Sequence, residues 1–500
     1  MRTYFFIVGT ISVLSFLVLG CFYPESLWIF LIIGPLVLLG LYDSFQTKHT
    51  ILRNFPVIGH FRYMFESISP EIKQYFVERN TDGKPISKNI RDIIYQRSKN
   101  VNDTHPFGTQ LELNNSDYEG LRHSIYPVEV AELPPRVLFG GADCRKPYSA
   151  SILNISAMSF GALSSNAILA LSRGAKKGNF YHNTGEGGLS HYHLDGGADI
   201  VWQIGTGYFG CRTREGNFDE EMFKQKSSHE QVKMIELKLS QGAKPGHGGI
   251  LPAPKNSPEI AKIRGVEPYT TVISPLGHTA FHDAKGLLEF IQKLRDLSDG
   301  KPVGFKLCLG KPEEFVEICN QMVSTGIKPD FITVDGAEGG TGAAPLEYSD
   351  SVGIPLEPAL IFVHSTLIKF NLRKEIRIIA SGKVYDGISI LKMMTLGADT
   401  CNSARGFMMS IGCIQALRCN TGKCPTGITT QNPKLVKGLV VEDKYIRAYN
   451  YHRNTVKAVM ELMASCGIRN LDEINDKLFI KGDEFVELEN KYYPDSLKLH

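Results

Sequence analysis

Two uncharged apolar runs open the chain: Tyr4 to Tyr23, built mainly from Phe, Ile, Val and Leu, and Leu27 to Tyr42, with Pro24-Glu25-Ser26 between them. Each is about the length that crosses a bilayer's hydrocarbon core, roughly 17 to 25 residues, the second a little short. Neither run has a polar face to show water, which argues against a buried hairpin of a soluble protein. The second run follows at once, which argues against a cleaved signal peptide, although Val18-Leu19-Gly20-Cys21 imitates a lipoprotein cleavage motif. Arg2 precedes the first run, and Lys48 and Arg53 follow the second. By the positive-inside rule both ends face the cytoplasm. Residues 1–43 are therefore expected to form a transmembrane hairpin in the inner (cytoplasmic) membrane, with the catalytic domain in the cytoplasm.

Residues 44–140 are mixed, with polar turns such as Asn80-Thr81-Asp82-Gly83-Lys84-Pro85, and read as an irregular α/β preamble. From Ser151 the texture changes. Short apolar runs recur, each ending in Gly, Ser, Thr or charge: Ser151–Ile155, Phe180–Asn183, Asp199–Ile204, Val232–Leu239, Pro302–Leu307, Phe331–Val334, Arg377–Ala380 and Asp399–Asn402. Helix-like stretches lie between several of them, namely Ser164–Lys177, Ala284–Leu297, Pro312–Thr325 and Gly387–Leu396. Eight such strands alternating with helices predict a TIM (β/α)8 barrel over about 141–470, with Thr206–Gln231 as an excursion and a doubly wound open sheet as the alternative. Asp443–Cys466 has helical periodicity, with Val456, Val459, Met460 and Met463 on one face, and 471–500 is a polar tail.

Charge narrows the partners. Fifty-five Lys and Arg nearly balance 52 Asp and Glu, so there is no electrostatic footprint for nucleic acid. Ten cysteines are too sparse for a disulfide scaffold. Three of them, Cys413, Cys419 and Cys424, sit in one loop bent by Gly412, Gly422 and Pro425, where thiolates can wrap an inorganic cluster. Three ligands suit a three-iron cluster; zinc, which wants a fourth ligand, and three unrelated buried thiols are the alternatives.

Glycine-rich segments end the predicted strands: Asn183-Thr-Gly-Glu-Gly-Gly188, Gln241-Gly-Ala-Lys-Pro-Gly246, Asp335-Gly-Ala-Glu-Gly-Gly-Thr-Gly342, Ser381-Gly382 and Ala404-Arg405-Gly406. In a barrel these ends carry the active site, and the loops after the seventh and eighth strands hold phosphate. Gly205-Thr-Gly-Tyr-Phe-Gly210 has a dinucleotide-like spacing, but the residues after it read as loop, not helix. His182, His191, His193, His278 and His282 complete no zinc constellation and read as polar lining. Lys238, Lys244, Arg264 and Lys306 stand at or beyond strand ends, where cations hold a phosphate, a reduced flavin or a carboxylate.

These blocks, with Ser156-Ala-Met-Ser-Phe-Gly161, Pro258-Glu-Ile-Ala-Lys-Ile-Arg-Gly265 and the cysteine loop, resemble the FMN-binding synthase domain of glutamate synthase over roughly residues 130–470, in the same order throughout. The resemblance implies FMN beside a [3Fe-4S] cluster ligated by Cys413, Cys419 and Cys424. It implies hydride transfer to 2-iminoglutarate, formed from 2-oxoglutarate and ammonia, giving L-glutamate. By carry-over Ser156, Ala157, Met158, Ser159, Asn183 and Thr184 border the flavin, Gln241, Lys306 and Gly340 contact it, and Ser381, Gly382, Ala404, Arg405 and Gly406 hold its phosphate. Glu186, Lys244 and Arg264 fall at the substrate side. The electron donor would be a ferredoxin or a reductase subunit. At 500 residues the chain is expected to lack the amidotransferase and β-helix domains of the large enzyme. It also reads Gly246-His247-Gly248-Gly249-Ile250 where the family usually has an acid and an amide. That departure motivates an alternative, a membrane-anchored FMN enzyme oxidising another small acid or amine and passing electrons to a quinone or carrier protein. A third reading is a non-catalytic relay.

Overall fold

The computed structural model describes residues 1–483, so most of the 471–500 tail lies outside the described residues. Met1–Lys84 and the remainder form two compact units. In the first, the apolar runs become helices Arg2–Phe22 and Phe30–Phe45, joined by a 3₁₀ turn, Pro24–Ile29. Arg2–Phe22 and Pro24–Phe45 are each long and apolar enough to cross a membrane. The helices approach at Gly40, where any side chain would collide with the Phe5 ring. Many of their other apolar side chains face outward, Val8 at 59% and Leu38 at 69% exposure, a surface that water penalises.

In the second unit eight parallel strands close into a barrel: β1 Leu153–Ile155, β2 Tyr181–Asn183, β3 Asp199–Ile204, β4 Val232–Lys238, β5 Val303–Leu307, β6 Phe331–Asp335, β7 Arg377–Ser381 and β8 Thr400–Ser403. Asn402 lies opposite Asn154, so β8 returns to β1 and the open-sheet alternative is removed. The strands are buried almost end to end, as parallel strands under a coat of helices must be. Crossover helices begin where the chain supplies a cap: Ser164 accepts the Ala167 N–H, Asp283 that of Gly286, and Asp386 forms a reciprocal box with Ser389. Helix Val441–Ser465 buries Val456, Val459 and Met463, and it approaches helix Ser165–Gly178 so closely that a Cβ on Gly174 would stand 2.8 Å from that of Ala448. An antiparallel hairpin, Arg136–Phe139 with Tyr148–Ser151, plugs the barrel's amino end through Phe139, Tyr148 and Ala150, packed on Phe331 and Ile379.

One expectation needs correction. Thr206–Gln231 is an ordinary connection with its own helix, Glu220–Ser227. The true excursion is Leu239–Asp283, with a two-residue ribbon, Ile250–Leu251 on Val272–Ile273, and a short helix, Pro258–Arg264. Elements this short leave no periodic pattern to read. Between residue 85 and the barrel the chain forms helix Lys88–Lys99, a long irregular stretch, and strand Glu119–Leu121, which pairs antiparallel with Phe479–Lys481.

Candidate active site

The carboxyl ends of the strands surround a cavity of about 370 Å³, within the range of small-molecule sites. Strand alternation decides which side chains enter it. Glu236 and Lys238, two apart on β4, both point inward. Glu236 is buried at the barrel's centre and accepts from Asn183 Nδ2 at 2.8 Å, Gln203 Nε2 at 2.6 Å and Thr333 Oγ1 at 2.6 Å, so its charge is fully satisfied below the cavity floor.

Above that floor lies a set of charges. Lys238 Nζ stands 2.9 Å from Glu186 Oε1, both groups nearly sealed from water. Burial would raise the Glu186 pKa, yet Lys238, Arg264 and Lys244 overcome it and hold the carboxyl below its ordinary value. Lys238 is lowered by burial despite Glu186. Lys306 pairs with Asp335 at 3.5 Å; burial opposes its charge, but Asp335 and Glu236 prevail and raise it. Lys244 donates to the Ala343 carbonyl at 2.9 Å and is lowered by burial. Arg264 closes its helix before Gly265, which takes φ +70° as the cap. Its guanidinium lies over the Phe209 ring at 5.1 Å, burial pushes it down to about 10, and its Nε has no partner among the described residues. Lys238, Lys306, Lys244 and Arg264 thus face Glu186 and Asp335 at this end, and among the described residues neither Lys244 nor Arg264 has an anion in contact distance.

The structure brings most of the expected residues to this cavity. Ser156, Ala157, Met158, Ser159, Glu186, Gln241, Lys244, Arg264, Lys306, Gly340, Ser381, Gly382, Ala404, Arg405 and the three loop cysteines all line it. Asn183, Thr184 and Gly406 stand behind the wall. Asn183 turns to Glu236 and accepts the Gly185 N–H at 3.0 Å; the Thr184 hydroxyl donates to the Gly185 carbonyl and accepts the Gln203 N–H. Gly406 lies in the first turn of helix Arg405–Ser410, where a Cβ would sit 2.5 Å from the Tyr451 hydroxyl. Asp335, Gln203 and Tyr385 also line the cavity and were not anticipated. Asp335 opens a glycine motif that is plain in the sequence, whereas Gln203 and Tyr385 carry no local signal. The Tyr385 hydroxyl is buried without a partner among the described residues, and burial pushes it up to about 12.

The walls fit a flat ring system with a phosphate tail. Gly242 crosses so close to the Gly336 carbonyl that any side chain would collide, and Gly382 takes φ +143° at the end of β7. Unpartnered Tyr385 Oη and Arg264 Nε are donors that a ligand can satisfy. Among the described residues no three His, Cys, Asp or Glu side chains converge on a single ion. Cys413, Cys419 and Cys424 all line the cavity. Burial pushes the Cys413 thiol up to about 12. Burial acts the same way on Cys424, but hydrogen bonds from Thr426 and Thr429 bring it down to about 7. The Lys255 ammonium holds the loop through the Cys419 and Thr429 carbonyls at 2.7 and 2.9 Å.

Residues 128–469 match the family described as the conserved region in glutamate synthase. A glutamate synthase large subunit-like protein, YerD, of Bacillus subtilis is 40% identical over 469 residues, 86% of this chain and 89% of that protein. An archaeal glutamate synthase (NADPH) of Methanocaldococcus jannaschii is 35% identical over 64% of this chain, which spans 60% of that relative. The large chain of Bacillus subtilis glutamate synthase (NADPH) is 30% identical over 64% of this chain, which covers 20% of that protein.

Proposed function

The chain belongs to the glutamate synthase family, and from that premise we propose that it is an FMN-dependent iron–sulfur oxidoreductase of the class acting on CH–NH2 groups, making L-glutamate from 2-oxoglutarate and ammonia. Bound FMN would supply the hydride, with a [3Fe-4S] cluster on Cys413, Cys419 and Cys424 delivering electrons from a ferredoxin or a reductase subunit. Ser156–Ser159, Gln241 and Lys306 would hold the ring, and Ser381, Gly382 and Arg405 the phosphate.

The observation that carries the reading is the charge excess beside Glu186. Lys244 and Arg264, both buried, facing the cavity and without a contact anion among the described residues, suit the two carboxylates of 2-oxoglutarate. Glu186, held ionised by Lys238, can accept a hydrogen bond from ammonia and orient its lone pair toward the ketone. Lys238, its ammonium made more acidic by burial, can return a proton as water leaves. The two apolar helices would anchor the enzyme in the cytoplasmic membrane. Glutamate formation by the solubilised full chain, with reduced methyl viologen as donor, tests the reading; it requires both 2-oxoglutarate and ammonium and disappears in Arg264→Ala.

A second reading has its own observation. Ile250, Leu251 and Pro252 add an apolar patch to the cavity wall, and His247 turns edge-on to Tyr348 at 5.0 Å. Such a wall favours a less polar acid or amine, its electrons passing to a quinone or carrier protein.

A further inference from the structure

The first unit carries an apolar face that neither apolar helix uses. After Phe45 the chain forms a short helix, Thr50–Asn54, then helix Gly59–Ile72, which runs into a wider turn, Lys73–Val77. At 3.6 residues per turn, Phe61, Met64, Phe65, Ile68, Ile72 and Phe76 fall within one arc of about 120°. All are exposed, Phe61 at 57%, Phe65 at 56% and Phe76 at 85%. Arg62, Glu66 and Lys73 occupy the other side, and Glu71 borders the arc.

This helix does not hang on a free linker. Asp43, in the last turn of Phe30–Phe45, is wholly buried; it accepts the Val57 N–H at 2.9 Å and lies 2.9 Å from His60 Nε2. Val57 takes φ +64°, a strained conformation for a β-branched residue, held by that bond. His49 meets the Tyr63 ring edge-on at 5.5 Å, and a Cβ on Gly59 would stand 2.9 Å from Leu52 Cδ2. The angle between the second apolar helix and Gly59–Ile72 is therefore fixed by specific contacts. Residues 44–65 hold Lys48, Arg53 and Arg62 and no acid, the charge that anionic lipid headgroups attract.

We propose that Gly59–Val77 lies in the plane of the membrane, its Phe and Ile face in the boundary between headgroups and acyl chains, with Asp43 setting its angle to the second span. This rests on the membrane reading of the hairpin. The occupant is a bilayer because the face continues from two bilayer-length apolar helices, the segment leading into it carries Lys48, Arg53 and Arg62, and the polar contacts at Asp43 lie where the second apolar run ends.

The test uses the full chain in vesicles of phosphatidylcholine and phosphatidylglycerol. Trp28→Phe removes the exposed tryptophan and leaves only buried Trp202. Phe65→Trp is then read with lipids brominated either near the headgroup or near the methyl end. Shallow bromines should quench the Phe65→Trp fluorescence about twofold more than deep ones, given a burial depth of roughly 5–10 Å, while Arg62→Trp is spared. Asp43→Ala should reduce the Phe65→Trp quenching and leave flotation with vesicles intact. Flotation without quenching overturns the surface helix and leaves the spanning hairpin standing. Quenching relieved by dilution of protein per vesicle assigns the face to a second copy and overturns the proposal. Failure to float overturns the hairpin reading and this inference together.

Discussion

Glu186 and Lys238 meet at 2.9 Å above the satisfied carboxylate of Glu236, and each is the other's direct ionic partner in a site largely sealed from water. Breaking such a pair from one side strands a buried charge, which costs about 3–5 kcal/mol, whereas removing both charges together is often nearly neutral. Lys238→Met should therefore destabilise the barrel unit by about 3 kcal/mol, and Glu186→Gln combined with it should recover most of that loss. Denaturant unfolding of the two single variants and the double variant checks the cycle.

The same pair predicts a pH dependence. Glu186 has a folded pKa below its ordinary 4.5, so the stability it contributes is complete above that value and is lost as pH falls through the lower folded pKa. The stability difference between the native chain and Glu186→Gln should be constant from neutral pH down to about 5 and shrink in more acid solution. Thermal midpoints measured in parallel across that range decide it; a difference that grew on acidification would contradict the assignment.

Arg264 presents a planar fork, while lysine offers a point charge. Arg264→Lys should raise KM for the dicarboxylate and lower kcat/KM by about 10- to 100-fold, the value of one or two charge-assisted hydrogen bonds. Binding of FMN should survive, since Arg264 sits at the Glu186 end. Steady-state kinetics with flavin content measured alongside separates the two effects.

Gly382 stands at φ +143°, where a side chain is strained by about 1–3 kcal/mol. Gly382→Ala should lower flavin occupancy after gel filtration and leave far-ultraviolet circular dichroism unchanged. Cys419→Ser should lose iron and electron transfer from an external donor but keep flavin, which iron analysis and the visible spectrum report separately.

The eight barrel strands lie within a residue or two of their expected positions because each is a buried apolar run closed by glycine or a polar residue, a signal that is complete within the segment. Helix starts were legible for the same reason, since Ser164, Asp283 and Asp386 are caps. The excursion Leu239–Asp283 was not legible: its strands are two residues long and its helix seven, too short for periodicity, although Ser257-Pro258 and Gly265 bracket the helix that carries Arg264. The cysteine loop was legible from spacing alone, which brings three cysteines to the cavity without saying whether their thiols converge. Pairings across the barrel were out of reach. Nothing local tells that Lys238 takes Glu186 or that Asn183 turns away to Glu236, because inward-pointing residues on neighbouring strands choose partners by the balance of charge at the centre.

The most direct test of the central claim is a single turnover. The solubilised full chain, reduced anaerobically with dithionite and freed of excess reductant, is mixed with 2-oxoglutarate and ammonium while the flavin absorbance is followed. Oxidised flavin should return only when both compounds are present, with glutamate appearing in proportion. A flavin that stays reduced with both, yet is reoxidised by a quinone or by a different 2-oxo acid, would contradict the claim.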